Sequence, residues 1–266
     1  MTRPALERLI DYAGLFPPAQ LPLGEAVEEY EQARASATSW MLGRFIVPAA
    51  RLDALREIRT GAEPRELSVI AAPGAFDAVA GVRREGWATI GSIEVPLGDA
   101  SIADCARQLR KAGLADVPVY VELARGRLEM DELALRGLRA KVRCGGVDPA
   151  AYPSVGELAA FIVAAVTARV AFKATAGLHH PVRHFNREAG VTMHGFLNVL
   201  LASAAAGRVE RAGVERILAE EDPAALVLRD EAELARARRE RLISYGSCSF
   251  EEPVADLRAL HILPAI

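Results

Sequence analysis

The chain has 266 residues, of which 51% are hydrophobic and 25% are charged, and its formal net charge is −3. This length suits one large domain, and the weak negative charge offers no electrostatic basis for binding nucleic acid. The three cysteines (Cys105, Cys144 and Cys248) are too few and too widely spaced to predict a disulfide framework or a zinc knuckle.

Two further features of the sequence indicate where in the cell the protein is located. Residues 1–5 lack the apolar stretch of a signal peptide. The longest apolar run, from Leu158 to Val166, is shorter than the ~20 residues that a membrane-spanning helix needs, and we interpret it as a buried helix. We therefore expect a cytoplasmic protein that contacts a small molecule and neither nucleic acid nor a membrane.

Short apolar runs alternate with amphipathic helical patterns along the chain. The predicted strands lie within residues 9–16, 41–47, 67–72, 89–95, 117–123, 141–144, 170–176 and 242–245. Strands that alternate with helices pair in parallel through crossover helices, and eight such units predict a closed (β/α)₈ barrel of the TIM type. An open, doubly wound sheet is the alternative, although no GxGxxG motif follows the first strand.

The rhythm of strands and helices changes between residues 185 and 240. This stretch contains helix patterns at 194–206 and 209–220, an apolar run at 224–228 and a charged helix pattern through Arg241. We interpret it as an enlarged seventh βα connection, and a hidden strand is the alternative. The predicted organisation is one barrel domain over residues 1–266 with a helical insertion near the C-terminus.

Charged residues stand among apolar neighbours near the ends of four successive predicted strands. They are Glu94, Glu122, Arg143 and Lys173, with Lys141 beside Arg143 on the same strand. Functional side chains of (β/α)₈ barrels lie at the C-terminal ends of the strands, so we expect this set to converge at one site. The alternative is a group of buried ion pairs that only stabilises the barrel.

Lys173 is the strongest catalytic candidate of the set. Burial lowers the pKa of a lysine and makes it a nucleophile or a base, and Glu94 or Glu122 could move its proton. The alternative is that Lys173 pairs with a glutamate or binds a substrate carboxylate as a fixed charge. Thr175 lies on the same face of this strand and is a substrate-binding candidate.

A histidine cluster follows the lysine strand. His179, His180, His184 and His194 are four of the five histidines of the chain, and clusters in loops after strands are often catalytic or metal-binding. We expect His180 to act in acid–base catalysis and His179, His194 and Asn198 to contact substrate. The same cluster could hold a divalent metal together with Glu94 and Glu122, although no HExxH motif is present.

The last strand is followed by Gly246, Ser247, Cys248 and Ser249, a turn of small residues before a helix. The free N–H groups of such a turn suit a phosphate or carboxylate, so Gly246 and Ser247 join the substrate-binding set. A plain turn is the alternative. Cys248 near a helix start and Asp11 beside the last strand are weaker candidates.

The segment Phe172-Lys173-Ala174-Thr175-Ala176-Gly177 resembles the Lys-x-[Thr/Ser]-x-Gly strand of deoxyribose-phosphate-type class I aldolases. This resemblance implies a (β/α)₈ barrel, a Schiff base on Lys173 and a phosphate site at the Gly246 turn. In that family the lysine lies on the sixth strand and a second strand lysine follows it, whereas Lys173 lies on the seventh and no lysine follows. The chain also resembles a bacterial barrel-like family with FKATAGLHHP and GSCSFEEP blocks, which implies no activity.

These observations favour an aldolase-type lyase that acts through Lys173 on a small carbonyl or carboxylate metabolite, with or without a phosphate group, and that requires no cofactor. One alternative is a metal-dependent hydrolase or isomerase built on the histidine cluster. Another is a ligand-binding barrel without catalysis. The sequence leaves a homo-oligomer open.

Overall fold

A computed structural model of the chain describes residues 3–58, 65–226 and 231–264. Eight strands form a closed barrel in which every neighbouring pair is parallel. The barrel strands are β1 (Ile10–Tyr12), β2 (Leu42–Pro48), β3 (Glu66–Ile70), β4 (Thr89–Pro96), β5 (Val119–Glu122), β6 (Arg139–Arg143), β7 (Phe172–Thr175) and β10 (Leu242–Ser247). The predicted (β/α)₈ fold is therefore confirmed, and each predicted strand overlaps an observed one.

Helices connect the strands and cover the outside of the barrel. They are α1 (Arg3–Leu6), α2 (Leu23–Ala35), α3 (Leu52–Glu57), α4 (Phe76–Glu85), α5 (Ile102–Lys111), α6 (Met130–Leu135), α7 (Val155–Thr167), α8 (Phe196–Ala205), α9 (Arg211–Ala219), α10 (Glu231–Glu240) and α11 (Glu251–Ala259). Three 3₁₀ turns lie at Ser39–Met41, Ala49–Arg51 and Pro149–Ala151. The apolar faces of these helices and the outward side chains of the strands form the hydrophobic core.

The start of α7 shows how the sequence sets a helix boundary. The Ser154 hydroxyl accepts a hydrogen bond from the Glu157 N–H, and the Glu157 carboxylate accepts one from the Ser154 N–H. This capping box satisfies two N–H groups that the first turn leaves free. By length and composition alone the segment Pro149–Thr167 could span a membrane. In the fold its apolar side chains Leu158, Phe161 and Ile162 are buried against the rest of the protein.

The connection between β7 and β10 carries its own helices, α8 to α10, as the sequence predicts. It also holds an antiparallel pair that the sequence analysis did not predict, β8 (His184–Asn186) and β9 (Val191–Met193). This hairpin is separate from the barrel, so the count of eight barrel strands is unchanged. Residues 227 and 228 of the predicted apolar run, like residues 1 and 2 of the N-terminal segment, lie outside the described residues.

The first strand is shorter than the predicted run of residues 9–16. It ends at Tyr12, and residues 14–19 form turns that contain Pro17 and Pro18. Proline lacks an N–H group, so this segment cannot extend the ladder of hydrogen bonds with β2 and β10. The turn carries the chain over the C-terminal rim of the barrel and back to α2.

Candidate active site in the barrel interior

The interior of the barrel is polar, and Lys173 of β7 lies at its centre. Its Nζ donates a hydrogen bond to Ser68 Oγ at 3.2 Å, on β3, which stands diametrically opposite β7 in the ring of strands. The same ammonium lies 2.6 Å from Asp11 Oδ2 on β1 and 2.5 Å from Glu94 Oε1 on β4. Contacts across the barrel are only feasible for a side chain that points inward, so the alternation of β7 directs Lys173 to the axis.

Two carboxylates determine the charge state of Lys173. Burial alone would lower the pKa of its ammonium, but the adjacent Asp11 and Glu94 carboxylates raise that pKa above its ordinary value. Lys173 is therefore protonated at neutral pH, and a protonated amine is not a nucleophile. The sequence leaves open whether Lys173 is a Schiff-base lysine or a fixed positive charge. This environment favours the fixed charge.

Glu94 joins Lys173 to the other interior lysine. Its second oxygen, Oε2, lies 2.8 Å from Lys141 Nζ on β6. Burial alone would raise the pKa of Glu94, but Lys141 and Lys173 lower it far below its ordinary value, so the group is a carboxylate. Ser68 adds a hydrogen bond of 2.7 Å to Oε1. The predicted contact between Glu94 and Lys173 is present, with a second lysine that the predicted site omits.

Lys141 extends the network towards the mouth of the barrel. Its Nζ lies 3.0 Å from Glu122 Oε2 on β5, and Arg143 Nε donates to Glu122 Oε1 at 3.2 Å. Exposure of the side chains increases along this series, from 1% for Lys173 to 3% for Lys141, 20% for Glu122 and 50% for Arg143. The four predicted strand-end charges thus belong to one network that runs from a closed centre to solvent.

Glu122 lies at the boundary between the barrel interior and solvent. Burial alone would raise the pKa of this carboxyl, but Lys141 and Arg143 lower it below its ordinary value. Glu122, Lys141 and Arg143 border a cavity of about 480 Å³. The rest of its wall comes from Val142 of β6, from the loops that follow β5 and β6, from α7 and from Arg211 of α9. A small molecule in this cavity would meet the outer end of the ion-pair network.

Asp11 anchors the inner end of the network and has a larger part than the sequence suggests. Its Oδ1 accepts a hydrogen bond of 2.6 Å from the Arg44 backbone N–H, and its Oδ2 accepts one of 2.7 Å from Ser244 Oγ. Burial alone would raise the pKa of Asp11, but Lys173 and Arg44 lower it. Arg44 Nε in turn lies 3.0 Å from Glu66 Oε1. Asp11, Arg44 and Glu66 therefore continue the alternation of negative and positive charges beyond Lys173.

The mouth of the barrel also holds Thr175 and Gly246. Thr175 lies in register with Arg143 of β6 and with Gly246 of β10. A methyl group on Gly246 would lie 3.1 Å from Ile46 Cδ1 and 3.2 Å from Thr175 Oγ1, closer than most such contacts. Glycine at this position keeps the mouth open beside the predicted substrate-binding threonine.

The turn after β10 is less suited to an anion than the sequence suggests. Ser247 is buried, its carbonyl accepts a hydrogen bond from the Ala13 N–H, and its Oγ is 3.4 Å from the Ser249 N–H. The first turn of α11 carries Glu251 and Glu252, and the Glu252 N–H already donates to Ser249 Oγ. Two carboxylates at a helix N-terminus oppose the approach of a phosphate.

A second cluster lies where the β7 loop meets α11. His180 Nδ1 is 2.6 Å from Asp256 Oδ2, and its ring packs edge-on against His184 at 4.5 Å between centroids. His179 Nδ1 lies 3.7 Å from Cys248 Sγ. Burial lowers the pKa of His179 and raises that of the Cys248 thiol, so both groups are neutral at pH 7. The Asp256 carboxylate orients His180 as a carboxylate does in a histidine–aspartate pair.

His194 and Asn198 bind the insertion to the barrel loops. His194 Nε2 donates to the Pro153 carbonyl at 2.9 Å, and its other nitrogen is 3.4 Å from Arg183 Nη1. Asn198 donates to the carbonyls of Ile217 and Glu220 and accepts from the Arg183 N–H. These hydrogen bonds join His194 and Asn198 to backbone groups and to Arg183 instead of to the lysine network.

The histidine cluster does not assemble the predicted metal ligands at one point. Within residues 3–58, 65–226 and 231–264, no group of three or more histidine, cysteine, aspartate or glutamate side chains is arranged to hold a metal ion. His194 is turned to Pro153, His180 to Asp256, and Glu94 and Glu122 to Lys141. The donor set of the metal-dependent hypothesis is therefore divided among separate partners.

Sequence reasoning missed Lys141 and Asp256 as site residues. Lys141 had a visible signal, because it stands two residues before Arg143 and so lies on the same face of the strand. Asp256 had none, since only tertiary packing brings α11 to the β7 loop. No protein-family model, no curated protein and no solved structure matches the chain, so the geometry of its side chains carries the functional argument.

Proposed function

We propose that the chain is a lyase of the class I aldolase type, and that Lys141 supplies the amine that forms a Schiff base with a small carbonyl substrate. The observation that carries this proposal is the position of Lys141. It is the lysine that belongs to the buried network and also borders the cavity between the ends of β5 and β6 and α7. A nucleophile has to reach both its substrate and the groups that take its proton.

Lys173 is less suited to attack a substrate. Its ammonium is enclosed by Asp11, Glu94 and Ser68, and its side chain is 1% exposed. Lys173 is not among the residues that border the cavity next to Lys141, so a substrate would have to enter the closed centre of the barrel to reach its amine. In the proposed reaction Lys173 instead keeps Glu94 ionised and in place beneath Lys141.

Glu122 is the proposed proton carrier for Lys141. Its Oε2, 3.0 Å from Nζ, accepts a proton from the ammonium, and the neutral amine attacks the carbonyl carbon of the substrate. The protonated Glu122 then returns the proton to the departing hydroxyl of the carbinolamine, which leaves as water. An ammonium and a carbonyl thus yield an iminium and water. On cleavage the electron pair of the Cα–Cβ bond moves to the iminium, which becomes an enamine, while the Glu122 carboxylate takes up the β-hydroxyl proton and an aldehyde leaves.

The two lysines lie on neighbouring strands, Lys141 on the sixth and Lys173 on the seventh, in register with each other. The Lys-x-[Thr/Ser]-x-Gly motif that carries the resemblance to the deoxyribose-phosphate-type aldolases lies at Lys173, whereas Arg143 occupies the Thr/Ser position in the segment that begins at Lys141. The proposal of Lys141 as the Schiff-base residue therefore rests on its place beside the cavity and not on the motif. The proposed chemistry requires no cofactor.

Borohydride trapping tests the proposal directly. The protein is incubated with small aldehydes and keto acids and reduced, and the modified peptide is identified by mass spectrometry. The chain has three lysines, Lys111, Lys141 and Lys173, so the assignment is unambiguous. We expect the adduct on Lys141, at least ~10-fold above the level on exposed Lys111, and its loss in Lys141→Arg, which keeps a cation between Glu94 and Glu122.

The other outcomes are equally clear. An adduct on Lys173 would restore the assignment that the sequence alone favours. Equal labelling of Lys141 and Lys111, or no adduct with any carbonyl compound, would refute the lyase proposal and leave the ligand-binding barrel or the metal-dependent hydrolase to be tested. The folded state of Lys141→Arg is verified by circular dichroism, so that loss of the adduct is not loss of the protein.

A further inference from the structure

We infer that the cavity at the ends of β5 and β6 binds the anionic group of a small metabolite, a carboxylate or a phosphate, and that Arg127 and Arg143 hold it. The inference deepens the proposed function, since it assigns a substrate class to the same site. The charge of the cavity wall is the first observation behind it. Five cationic side chains border the cavity against two carboxylates, Glu122 and Glu157. The cations are Lys141, Arg125, Arg127, Arg143 and Arg211.

This excess of positive charge is confined to the wall, because Glu94, Glu129 and Glu215, which pair with three of its cations, do not border the cavity. A concave wall of one sign concentrates ligands of the opposite sign. Arginine is also the residue that best fits the planar oxygens of a carboxylate or phosphate, because its N–H groups donate in pairs.

Two of the four arginines are already used to build the wall. Arg125 binds the Glu157 carboxylate at 2.8 and 2.5 Å and the carbonyls of Ala150 and Tyr152, and so fastens the β5 loop to α7. Arg211 donates to the Gly156 carbonyl and to Glu215. These contacts shape the cavity and leave the task of binding a ligand to Arg127 and Arg143.

Arg127 and Arg143 are better placed to bind a ligand. Arg143 is half exposed and donates to one oxygen of Glu122 at 3.2 Å. Arg127 pairs with Glu129, two residues along the same loop. Exposed ion pairs of this kind contribute little, so exchanging them for an anionic ligand costs little.

The apolar part of the wall limits the size of the ligand. Leu123, Leu128, Leu158 and Phe161 border the same space, whose volume of about 480 Å³ is typical of small-molecule sites. A carbon chain of a few atoms can lie on these side chains with its anionic end at the arginines and its carbonyl carbon at Lys141. The site thus fits an anionic keto or aldehyde compound.

Calorimetric titration with unreactive anions tests the inference. Inorganic phosphate and malonate distinguish phosphate from carboxylate as the preferred group, and chloride at equal ionic strength is the reference. We expect one of the two to bind wild type, and Arg143→Gln and Arg127→Gln each to weaken its Kd by ~10-fold or more. Arg83→Gln is the matched control, because the side chains of Arg83 and Arg127 are both 37% exposed and ion-paired.

Absence of binding to wild type, or equal weakening by Arg83→Gln, would overturn the inference. The two proposals can fail separately. These anions carry no carbonyl carbon that forms an imine, so Lys141→Arg should retain their binding while it loses the borohydride adduct. Anion binding without trapping refutes the lyase alone, and trapping without anion binding refutes the arginine site alone.

Discussion

Each buried charge in the barrel has a partner of opposite sign, and this pairing makes the ions tolerable in the interior. Lys173 faces Asp11 and Glu94, and Lys141 faces Glu94 and Glu122. A buried charge without a partner is strongly destabilising, although a buried pair is not necessarily better than an apolar pair of the same volume. We infer that the network mainly positions charged side chains at the cavity and contributes less to the stability of the fold.

This view predicts strong coupling between Asp11 and Lys173. Lys173→Met should lower the free energy of unfolding by about 3–5 kcal/mol, because Asp11 loses the ammonium at 2.6 Å. Adding Asp11→Asn should restore part of the loss, with a coupling energy of about 1–3 kcal/mol in urea unfolding. The exposed pair Arg83–Asp116 is the control, with an expected coupling below about 1 kcal/mol. Additive effects at Asp11 and Lys173 would disprove the tight pairing.

Single residues also show where sequence reasoning succeeds and where it ends. Alternation along the strands placed Glu94, Glu122, Arg143 and Lys173 in one network, because inward positions follow from the period of two. The same alternation does not show which of the inward-facing charged residues contact a substrate, so Lys141 was left out of the predicted site. His194 and Asn198 bind carbonyls of Pro153, Ile217 and Glu220, and no pattern of side chains reports where distant carbonyls lie.

At the scale of elements, the approach of two loops depends on Gly177. Its φ is +66°, and a methyl group there would lie 2.8 Å from the Cys144 carbonyl oxygen and 2.9 Å from Gly145 Cα. The loop after β7 therefore packs directly on the backbone of the loop after β6, whose later residues border the cavity. The sequence predicts a strand that ends at residue 176, and it does not predict the close contact of Gly177 with Cys144 and Gly145.

Substitutions at the two adjacent positions Ala176 and Gly177 should differ in their effect on the free energy of unfolding. Gly177→Ala should lower the free energy of unfolding by about 2–3 kcal/mol, from the left-handed backbone and the contact with Cys144. Ala176 already has a φ of +60°, so Ala176→Gly should be neutral or stabilising by up to about 1 kcal/mol. Urea unfolding of both variants measures the pair. A Gly177→Ala protein as stable as wild type would contradict the close packing of the two loops.

At the scale of the whole molecule, the chain separates two kinds of core. An apolar layer lies between strands and helices, and a network of charges fills the barrel. Periodicity predicted the strands and the parallel closed barrel because outward strand faces and inward helix faces must both be apolar. It did not predict the β8–β9 hairpin, whose short strands pair outside the barrel.

The charged interior predicts an asymmetric dependence of stability on pH. The pKa values of Asp11 and Glu94 are lowered from ordinary values of 3.8 and 4.5, and that of Lys173 is raised from 10.5. A carboxyl with a lowered pKa stabilises the fold above its unfolded value and loses this effect as the pH falls through its folded value. The raised pKa of Lys173 stabilises the fold below 10.5 and loses this effect as the pH rises through its folded value.

Stability should therefore be highest between the two arms, and the acid arm should begin near pH 4.5, where unfolded glutamate takes up its proton. Urea unfolding at successive pH values measures the slope, which is about 1.4 kcal/mol per pH unit for each proton taken up on unfolding. Glu94→Gln should reduce the acid slope by up to one proton. Since Glu94 is buried, this difference should persist in ~0.5 M NaCl, which screens exposed pairs such as Arg83–Asp116. An unchanged slope in Glu94→Gln, or a difference that salt abolishes, would place the responsible carboxylates at the surface instead of in the barrel.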